Sequence, residues 1–265
     1  MQIFQVDAFT AELFKGNPAA VMVLDNWLDE QLMQHIAMEN NLSETAFVKP
    51  RENQDGWDIR WFTPTHEVSF CGHATLASAH ILNTEYQAPM PLRLFGEVGE
   101  LRVELHQAHE TAPSYLLDFP NVSYEFIDSL PAEIAASFGA TPIAIFKSYE
   151  NYFVELEDEA AVRNFEPDFE ALAKLGTDGV IVTGRSKEFD FVSRYFLPGG
   201  GIDEDPVTGS IHTTLAPYWA KKLNETELEA HQASKRGGNL TCHVRDDRVH
   251  IVGCATTFMR GRLCL

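Results

Sequence analysis

The chain has 265 residues, of which 45% are hydrophobic and 22% charged, a composition typical of a folded protein with one large or two ordinary domains. Its 39 acidic and 20 basic side chains give a net charge of −19. A surface this negative repels phosphate backbones and anionic lipid. We therefore expect the protein to bind neither nucleic acid nor a membrane.

The sequence contains no pattern that directs export. The start, MQIFQVDAFT, lacks a basic segment followed by an apolar core, so we expect no signal peptide. The longest uncharged stretch, from Val68 to Thr84, is too short and too polar for a membrane span. The four cysteines show no CxxC pair or zinc spacing, which favours reduced thiols and no metal site. The interpretation is a cytoplasmic protein.

Predicted β-strands dominate the chain, and a few helices interrupt them. In chain order the predicted strands and hairpins are Gln2–Phe9, Ala19–Leu24, Glu44–Lys49, Trp57–Phe62, Leu92–Phe95 with Leu101–Leu105, Ile143–Tyr149 with Tyr152–Leu156, and Thr241–Arg245 with Arg248–Val252. Amphipathic helices are predicted over Asp29–Asn40, with Asp29 as N-cap, and over Ala160–Leu175, closed by Gly176. Hairpins this frequent favour antiparallel sheets over a Rossmann alternation.

Two further predicted helices carry no charge on any face. They cover Gly72–Leu82 and Gly209–Ala220, and Pro217 is expected to bend or shorten the second. A helix without a polar face is normally buried on all sides. Two such helices among hairpins indicate two sheets, each wrapped around its own central helix.

The two halves of the chain also resemble each other. The segment Arg60–Pro64 is followed, eight residues after its proline, by Gly72, which opens the first uncharged helix. The segment Arg194–Pro198 is followed, eleven residues after its proline, by Gly209, which opens the second. Chance similarity is the alternative for so short a pattern, and we interpret it as an internal duplication.

The starts of these helices are candidate anion sites. Free N–H groups and the helix dipole favour a carboxylate there, and Gly72 and Gly209 leave room for a ligand. The alternative is that both glycines serve tight packing only. Polar residues also lie beside these helix starts, namely His73 and the acids Asp203 to Asp205. They are compatible with a binding or catalytic site, but equally with a structural role such as helix capping.

Glu44 is a further candidate, since it stands where the chain turns apolar and strand-like. Desolvation at such a position favours the neutral acid and suits proton transfer. A solvated acid at a strand edge is the alternative. No GxxxxGK[ST] or GxGxxG signature is present, and the glycine-rich Leu197–Gly201 runs straight into acids that repel phosphate. The missing cofactor signatures therefore favour catalysis without a cofactor.

Taken together, several segments resemble the phenazine-biosynthesis PhzF-like proteins. The segments occur in order from the first strand to the last, and they are Val6–Phe9, Gly16–Val21, Asn41–Thr45, Phe62–Pro64, Gly72–Ala74 and Glu204–Ser210. The resemblance implies an α+β fold like that of diaminopimelate epimerase: two similar antiparallel β-barrel-like domains, each around a central α-helix, in a pseudo-twofold internal duplication. The implied domains are residues 1–110 with 255–265, and 111–254. Thr256–Leu265 should then pair with the first domain, and members are commonly homodimers.

The same resemblance implies roles for individual residues. Glu44 falls on the position of the catalytic base and acid, while His73 and Asp205 fall on positions that hold the substrate and assist protonation. Ser210 would contact substrate, and Gly72 and Gly209 would supply backbone donors. The implied activity is a cofactor-independent isomerase that moves a proton between carbons of a small carboxylate-bearing, amino-acid-like metabolite.

Two other functions stay open at this point. One is a racemase or epimerase on the same scaffold, some of which use two cysteines as acid and base. Cys71 lies beside the first helix start, but Ser210 and its neighbours supply no second thiol, so Cys71 is interpreted as a packed bystander. The other is a metabolite-binding homologue without turnover.

Overall fold

In a computed structural model that describes residues 1–52, 55–108, 112–138, 142–149 and 151–264, the chain forms two compact units. The first consists of Met1–Asp118 and His250–Leu265, and the second of Phe119–Val249. The predicted boundary after residue 110 lies outside the described residues, and the boundary after residue 254 stays a prediction.

The first unit contains, in its described part, two helices, which are α1 (Glu30–Asn40) and α2 (Gly72–Thr84). Its strands are β1 (Gln2–Ala8), β2 (Asn17–Val23), β3 (Glu44–Pro50), β4 (Trp57–Phe62), β5 (Glu67–Val68), β6 (Leu92–Gly96), β7 (Gly99–Gln107), most of β8 (Ser114–Pro120) and most of β17 (Arg248–Arg262). Strands β1 and β2 pair antiparallel, as do β3 with β4 and β6 with β7. Strands β2 and β3 pair parallel across α1, and β4 and β6 pair parallel across α2.

The second unit repeats this order of elements. Its strands are β9 (Glu125–Phe126), β10 (Ala144–Ser148), β11 (Asn151–Glu155), β12 (Gly179–Arg185), β13 (Phe191–Leu197), β14 (Ile202–Asp205), β15 (Glu227–Gln232) and β16 (Gly238–Arg245). Its helices are α3 (Ala132–Ala135), α4 (Glu159–Arg163), α5 (Phe169–Leu172) and α6 (Gly209–Leu223), and 3-10 turns occupy Ala173–Leu175 and Pro198–Gly200. Strands β11 and β12 pair parallel across α4 and α5, and β13 and β15 pair parallel across α6.

Each unit is built around one of the uncharged helices. In α2 every residue from Gly72 to Leu82 is buried, and the helix packs on β1, β2 and β3. In α6 ten residues are buried, and the helix packs on β15 and β16. The predicted α+β fold, with two barrel-like domains that each wrap a central helix, is confirmed. The sheets are mixed rather than purely antiparallel, because the helices act as crossovers between parallel strands.

The long helix predicted over Ala160–Leu175 is wrong. The structure has α4, α5 and a 3-10 turn there, separated by a break at Pro167. Proline lacks the N–H that a helix needs and disfavours a helical conformation at the residue before it. Asp158 and Asp168 cap the two short helices by accepting hydrogen bonds from Ala161 and Ala171.

Of the two effects expected of Pro217 on the second central helix, a bend or a shortening, the shortening is wrong, since α6 continues to Leu223. Proline at this position leaves the carbonyl of Thr213 without its helical donor. The backbone N–H of Val122 donates to that carbonyl at 3.2 Å and replaces the lost bond. Beyond the proline, the Trp219 indole donates to Thr183 Oγ1 at 3.0 Å, so packing stabilises the last turns.

The C-terminal strand returns to the first unit as predicted. Strand β1 pairs antiparallel along its whole length with the last part of β17, from Gln2 opposite Arg262 to Ala8 opposite Ala255. Leu265, the end of the predicted segment, lies outside the described residues. In the described part of the chain, no helix has the length and apolar character needed to cross a membrane.

Candidate active site

The position of Glu44 follows from how the preceding helix ends. Helix α1 stops at Asn41, which adopts a left-handed conformation with φ 50° and donates its N–H to the Ala37 carbonyl. Three residues later β3 begins at Glu44, opposite Ala19 of the parallel strand β2. The Glu44 side chain is 14% exposed, so the carboxylate lies largely out of water.

The start of α2 brings His73 to this carboxylate. Cys71 precedes the helix in an extended conformation, and its side chain does not cap the free N–H groups of the first turn. His73 is buried, and its Nε2 lies 3.1 Å from Glu44 Oε2. That oxygen has no exposed surface and accepts no hydrogen bond of regular geometry from the described residues, so the close histidine is its ion-pair partner.

The other ring nitrogen of His73 lies among polar groups from two neighbouring segments. Asn17 Nδ2 lies 3.2 Å from His73 Nδ1, and Cys71 Sγ lies 3.4 Å from the same atom. The Ser43 hydroxyl donates to Asn17 Oδ1 at 3.3 Å. Both nitrogens of the buried imidazole therefore have a polar neighbour, which fixes the ring beside Glu44.

The electrostatics of this cluster favour a charged pair. Burial acts to lower the pKa of His73, but the interactions with Cys71 and Glu44 outweigh it, so the pKa is raised well above the ordinary value. Burial, with the Glu44 charge adding to it, raises the pKa of the Cys71 thiol to about 11. At neutral pH Cys71 is thus an uncharged thiol, and the carboxylate of Glu44 is the charge that stabilises the imidazolium.

Glu44, Cys71 and His73 also offer the donor types that zinc accepts, with donor atoms within 4.8 Å of one another. In the described part of the chain each donor already has another role. Nδ1 of the imidazole contacts the Asn17 amide, Nε2 is paired with the carboxylate, and the cysteine holds its proton. The arrangement therefore suits proton handling better than a closed metal site.

In the second unit Asp205 is held by a compact set of hydrogen bonds. Asp205 is 8% exposed and ends β14, where Tyr195 is its neighbour on β13. Thr208 donates its hydroxyl to Asp205 Oδ2. The amide of Gln232 donates to the Asp205 carbonyl at 2.9 Å and accepts from the Thr208 N–H at 2.8 Å. The loop between β14 and α6 is thereby fixed.

Helix α6 begins at this loop without a side-chain cap, because the Thr208 hydroxyl bonds Asp205 instead. Gly209 is buried and Ser210 is exposed in the first turn. His212 Nδ1 donates to the Thr208 carbonyl at 2.8 Å, and burial lowers the pKa of His212 to about 4. The N–H groups of the first turn lack helical partners, which is the property of an anion-binding helix start.

The sequence-predicted residues therefore fall into two sets. Glu44, Gly72 and His73 lie together in the first unit, and Asp205, Gly209 and Ser210 lie together in the second. Their catalytic and binding roles stay predictions.

Sequence reasoning missed three residues that hold these sets, namely Asn17, Thr208 and Gln232. Asn17 and Thr208 stand inside the motifs Gly16–Val21 and Glu204–Ser210. Each is a polar residue at the start of a strand or helix, and that position could have identified it as a site residue. Gln232 lies 27 residues from Asp205 and carries no local signal.

Comparison with known proteins identifies the family. The family model PhzC-PhzF, described as phenazine biosynthesis-like protein, matches residues 6–261. A Pseudomonas aeruginosa protein described as an uncharacterized isomerase is 48% identical over 266 residues, which is 100% of this chain and 99% of that protein. The crystal structure of a PhzF-family phenazine biosynthesis protein from Enterococcus faecalis has a TM-score of 0.91 at 46% identity and covers 100% of this chain and 99% of its own.

A more distant structure supports the fold alone. A probable proline racemase from Agrobacterium radiobacter has a TM-score of 0.70 at 10% identity, covering 100% of this chain and 93% of its own. This likeness agrees with the epimerase-like fold that the resemblance to the PhzF-like proteins implied. The chain therefore belongs to the PhzC-PhzF family of phenazine biosynthesis-like proteins, and its activity is of the isomerase class.

Proposed function

We propose that the protein is a cofactor-independent isomerase that moves a proton between carbons of a small, carboxylate-bearing, amino-acid-like metabolite, with Glu44 as the general base and acid. The observation that carries this proposal is the buried Glu44–His73 pair at 3.1 Å. A carboxylate shielded from water, with a cationic partner beside it, is a group that can take and return a proton within one turnover.

The proposed reaction needs no external redox partner. Glu44 removes a proton from a carbon next to the substrate carboxylate, and the electron pair moves into the adjacent unsaturated system. The carboxylic acid of Glu44 then returns the proton at a different carbon, so that atoms and electrons balance. The imidazolium of His73 stabilises the carboxylate before the first step and can assist protonation in the second.

The helix starts supply what such a reaction requires of a binding site. Negative charge develops on the substrate when its C–H is deprotonated, and free backbone N–H groups stabilise that charge. We assign this role to the first turns of α2 and α6, at Gly72 and Gly209. Asp205 and Ser210 keep the substrate-contacting roles that family membership implies for them.

A racemase or epimerase is the second candidate, favoured by the likeness of the fold to a probable proline racemase. The two-cysteine version of that mechanism needs one thiolate and one thiol, and Ser210 and its neighbours at the start of α6 supply no second cysteine. Burial also raises the pKa of Cys71 to about 11, which disfavours Cys71 as the base of such a pair. Stereochemical analysis of the product distinguishes an epimer from a positional isomer.

The test combines ligand discovery with isotope exchange. A panel of amino and keto acids is screened by thermal shift, because a bound ligand raises the melting temperature of the folded state. Hits are incubated in deuterated water with wild type, Glu44→Gln and the control Glu97→Gln, which changes an exposed carboxylate in the turn before β7. We expect deuterium in the product with wild type and the control, and none above background with Glu44→Gln.

Equal deuterium incorporation by Glu44→Gln and wild type would remove Glu44 from the mechanism. Binding without exchange by wild type across the whole panel would instead support a metabolite-binding homologue. The expected homodimer is a separate proposal, tested by light scattering on the eluting protein at several concentrations; a monomer mass throughout would refute it.

A further inference from the structure

Asn17 lies beside His73 although none of the predicted catalytic roles includes it. Its side chain is fully buried at the first position of β2. The preceding Gly16 has φ +63°, and a Cβ there would overlap the Ala8 carbonyl, so the turn into β2 admits only glycine. This turn delivers the Asn17 carboxamide to His73 Nδ1 at 3.2 Å.

The chemistry of the contact determines where the histidine proton lies. An amide NH₂ group only donates, so Nδ1 must accept and a neutral His73 must carry its proton on Nε2, 3.1 Å from Glu44 Oε2. If the Asn17 carboxamide flips, its oxygen faces His73 Nδ1 and accepts a hydrogen bond from it. Nδ1 can then also carry a proton. The two orientations of the Asn17 amide thus match the neutral and the charged imidazole.

Ser43 is suited to support both orientations. Its hydroxyl donates to Asn17 Oδ1 at 3.3 Å, and a hydroxyl can equally accept from an amide nitrogen. Cys71 also contacts His73 Nδ1, but a thiol is a weak hydrogen-bonding group. The carboxamide is therefore the strong polar partner on this side of the ring.

We infer that Asn17 is a positioning residue for His73: its carboxamide, oriented by Ser43, holds the ring so that Nε2 points at Glu44 in both protonation states. The inference rests on the proposed proton transfer at Glu44 for its functional meaning. The ring geometry itself can be measured without substrate. The titratable groups that act on His73 are Glu44 on β3 and Cys71 at the start of α2.

The experiment is an NMR titration of the full protein labelled with ¹⁵N-histidine, in which the His73 signals are assigned by their loss in His73→Gln. Asn17→Asp keeps the shape of the side chain but can only accept a hydrogen bond, which stabilises the imidazolium. We expect His73 in Asn17→Asp to stay charged to a pH at least about one unit higher than in wild type, a tenfold shift in its protonation equilibrium. In Asn17→Leu we expect ¹⁵N shifts that average two tautomers.

The matched control is Asn83→Ala, which removes a half-buried carboxamide that accepts from Tyr115 at 3.2 Å near the end of α2. This variant should leave the His73 signals unchanged. Wild-type shifts and titration of His73 in folded Asn17→Asp would overturn the inference, even if Asn17→Leu fails to fold.

A second readout separates positioning from substrate binding. With a substrate in hand, a positioning role lowers kcat and displaces its pH profile in Asn17→Asp. A rise in KM alone, with His73 signals as in wild type, would also overturn the inference and make Asn17 a substrate contact. Failure of Glu44→Gln to affect isotope exchange would refute the proposed function and leave the NMR result standing.

Discussion

The two units share one order of elements but differ in the groups they place at equivalent positions. In the first unit Arg60 on β4 pairs with Glu67 on β5 at 2.6 Å, and in the second Arg194 on β13 pairs with Glu204 on β14 at 2.7 Å. Each arginine precedes an aromatic residue and a phenylalanine, and each strand leads to a glycine that opens the central helix. The equivalence between the units therefore extends to single side chains.

At the position of Glu44 the second unit has no side chain at all. Strand registers set Thr45 opposite Phe62 and Val180 opposite Phe196, so the residues before them, Glu44 and Gly179, are equivalent. A Cβ on Gly179 would overlap the ring of Tyr195. The second unit has thus filled with a tyrosine the space where the first unit holds its carboxylate.

The remaining groups divide in the same way. His73 and Ser210 each follow the glycine that opens the helix, and Val68 and Asp205 occupy equivalent positions opposite Trp61 and Tyr195. The first unit thus has a histidine–carboxylate pair, whereas the second has a carboxylate locked by Thr208. The difference shows that equivalent positions of a duplicated fold can carry different side chains. The Glu44–His73 pair, to which we assign proton transfer, lies in the first unit.

The largest expected effect on activity comes from substituting the residues that follow the two glycines, one at a time. His73→Gln removes the cation beside Glu44, and we expect the isomerase rate to fall about 10²- to 10⁴-fold, the range that a positioned acid or base contributes. Ser210→Ala removes an exposed hydroxyl and should cost about tenfold or less, the worth of one hydrogen bond. Steady-state kinetics on the identified substrate measure both rates. Equal losses of rate in the two variants would contradict the different roles assigned to the two units.

A second comparison concerns the side chains that bond the carbonyl before each helix. Thr75 donates to the Cys71 carbonyl at 2.6 Å, and His212 donates to the Thr208 carbonyl at 2.8 Å. Burial lowers the pKa of His212 to about 4 from an ordinary value of 6.5. A buried neutral histidine stabilises the fold fully above its unfolded pKa, and this stability is lost as pH falls from about 6.5 toward 4.

We therefore expect His212→Gln to reduce the acid sensitivity of the free energy of unfolding by about 2–3 kcal/mol between neutral pH and pH 4.5. Urea unfolding at a series of pH values measures this difference. The control Thr75→Val should lower stability by the same amount at every pH. An acid sensitivity in His212→Gln equal to that of wild type would show that His212 is not buried in its neutral form.

The smallest expected difference concerns the two arginine pairs. The Arg194 side chain is 13% exposed and also donates to the Phe165 carbonyl at 2.7 Å. The Arg60 side chain is 26% exposed, and its partners Glu67 and Glu30 are 33% and 71% exposed. Breaking a buried pair leaves an uncompensated charge, so Arg194→Met should cost about 3 kcal/mol. Arg60→Met should cost about 0.5–1 kcal/mol, as for a surface pair. Urea unfolding midpoints measure which variant is less stable. A larger loss of stability in Arg60→Met than in Arg194→Met would contradict the prediction.

Much of this asymmetry could be predicted from the sequence, because its signals are local. The uncharged helices and their opening glycines revealed the two central helices. The family motifs that contain Glu44 and His73 identified both as candidate site residues, although not as a contacting pair. These residues stand at the ends of elements, where the strand, turn and helix patterns are easiest to identify.

The rest depends on pairings that local patterns do not encode. Asn17 contacts His73, 56 residues further along the chain, because β2 and β3 pair parallel beside α2. Parallel strands are not joined by a hairpin turn, so no turn motif in the sequence predicts their pairing. The continuation of α6 past Pro217 depends on a donor from Val122, a residue far away in the sequence. Proline chemistry alone predicted a bent or shortened helix.

The central claim is that proton transfer belongs to Glu44 in the first unit and not to Asp205 in the second. The most direct test is the rate of substrate C–H exchange in deuterated water, measured side by side for Glu44→Gln and Asp205→Asn. The account predicts that Glu44→Gln loses exchange while Asp205→Asn still exchanges, with slower formation of product. Exchange retained by Glu44→Gln and abolished in folded Asp205→Asn would contradict it.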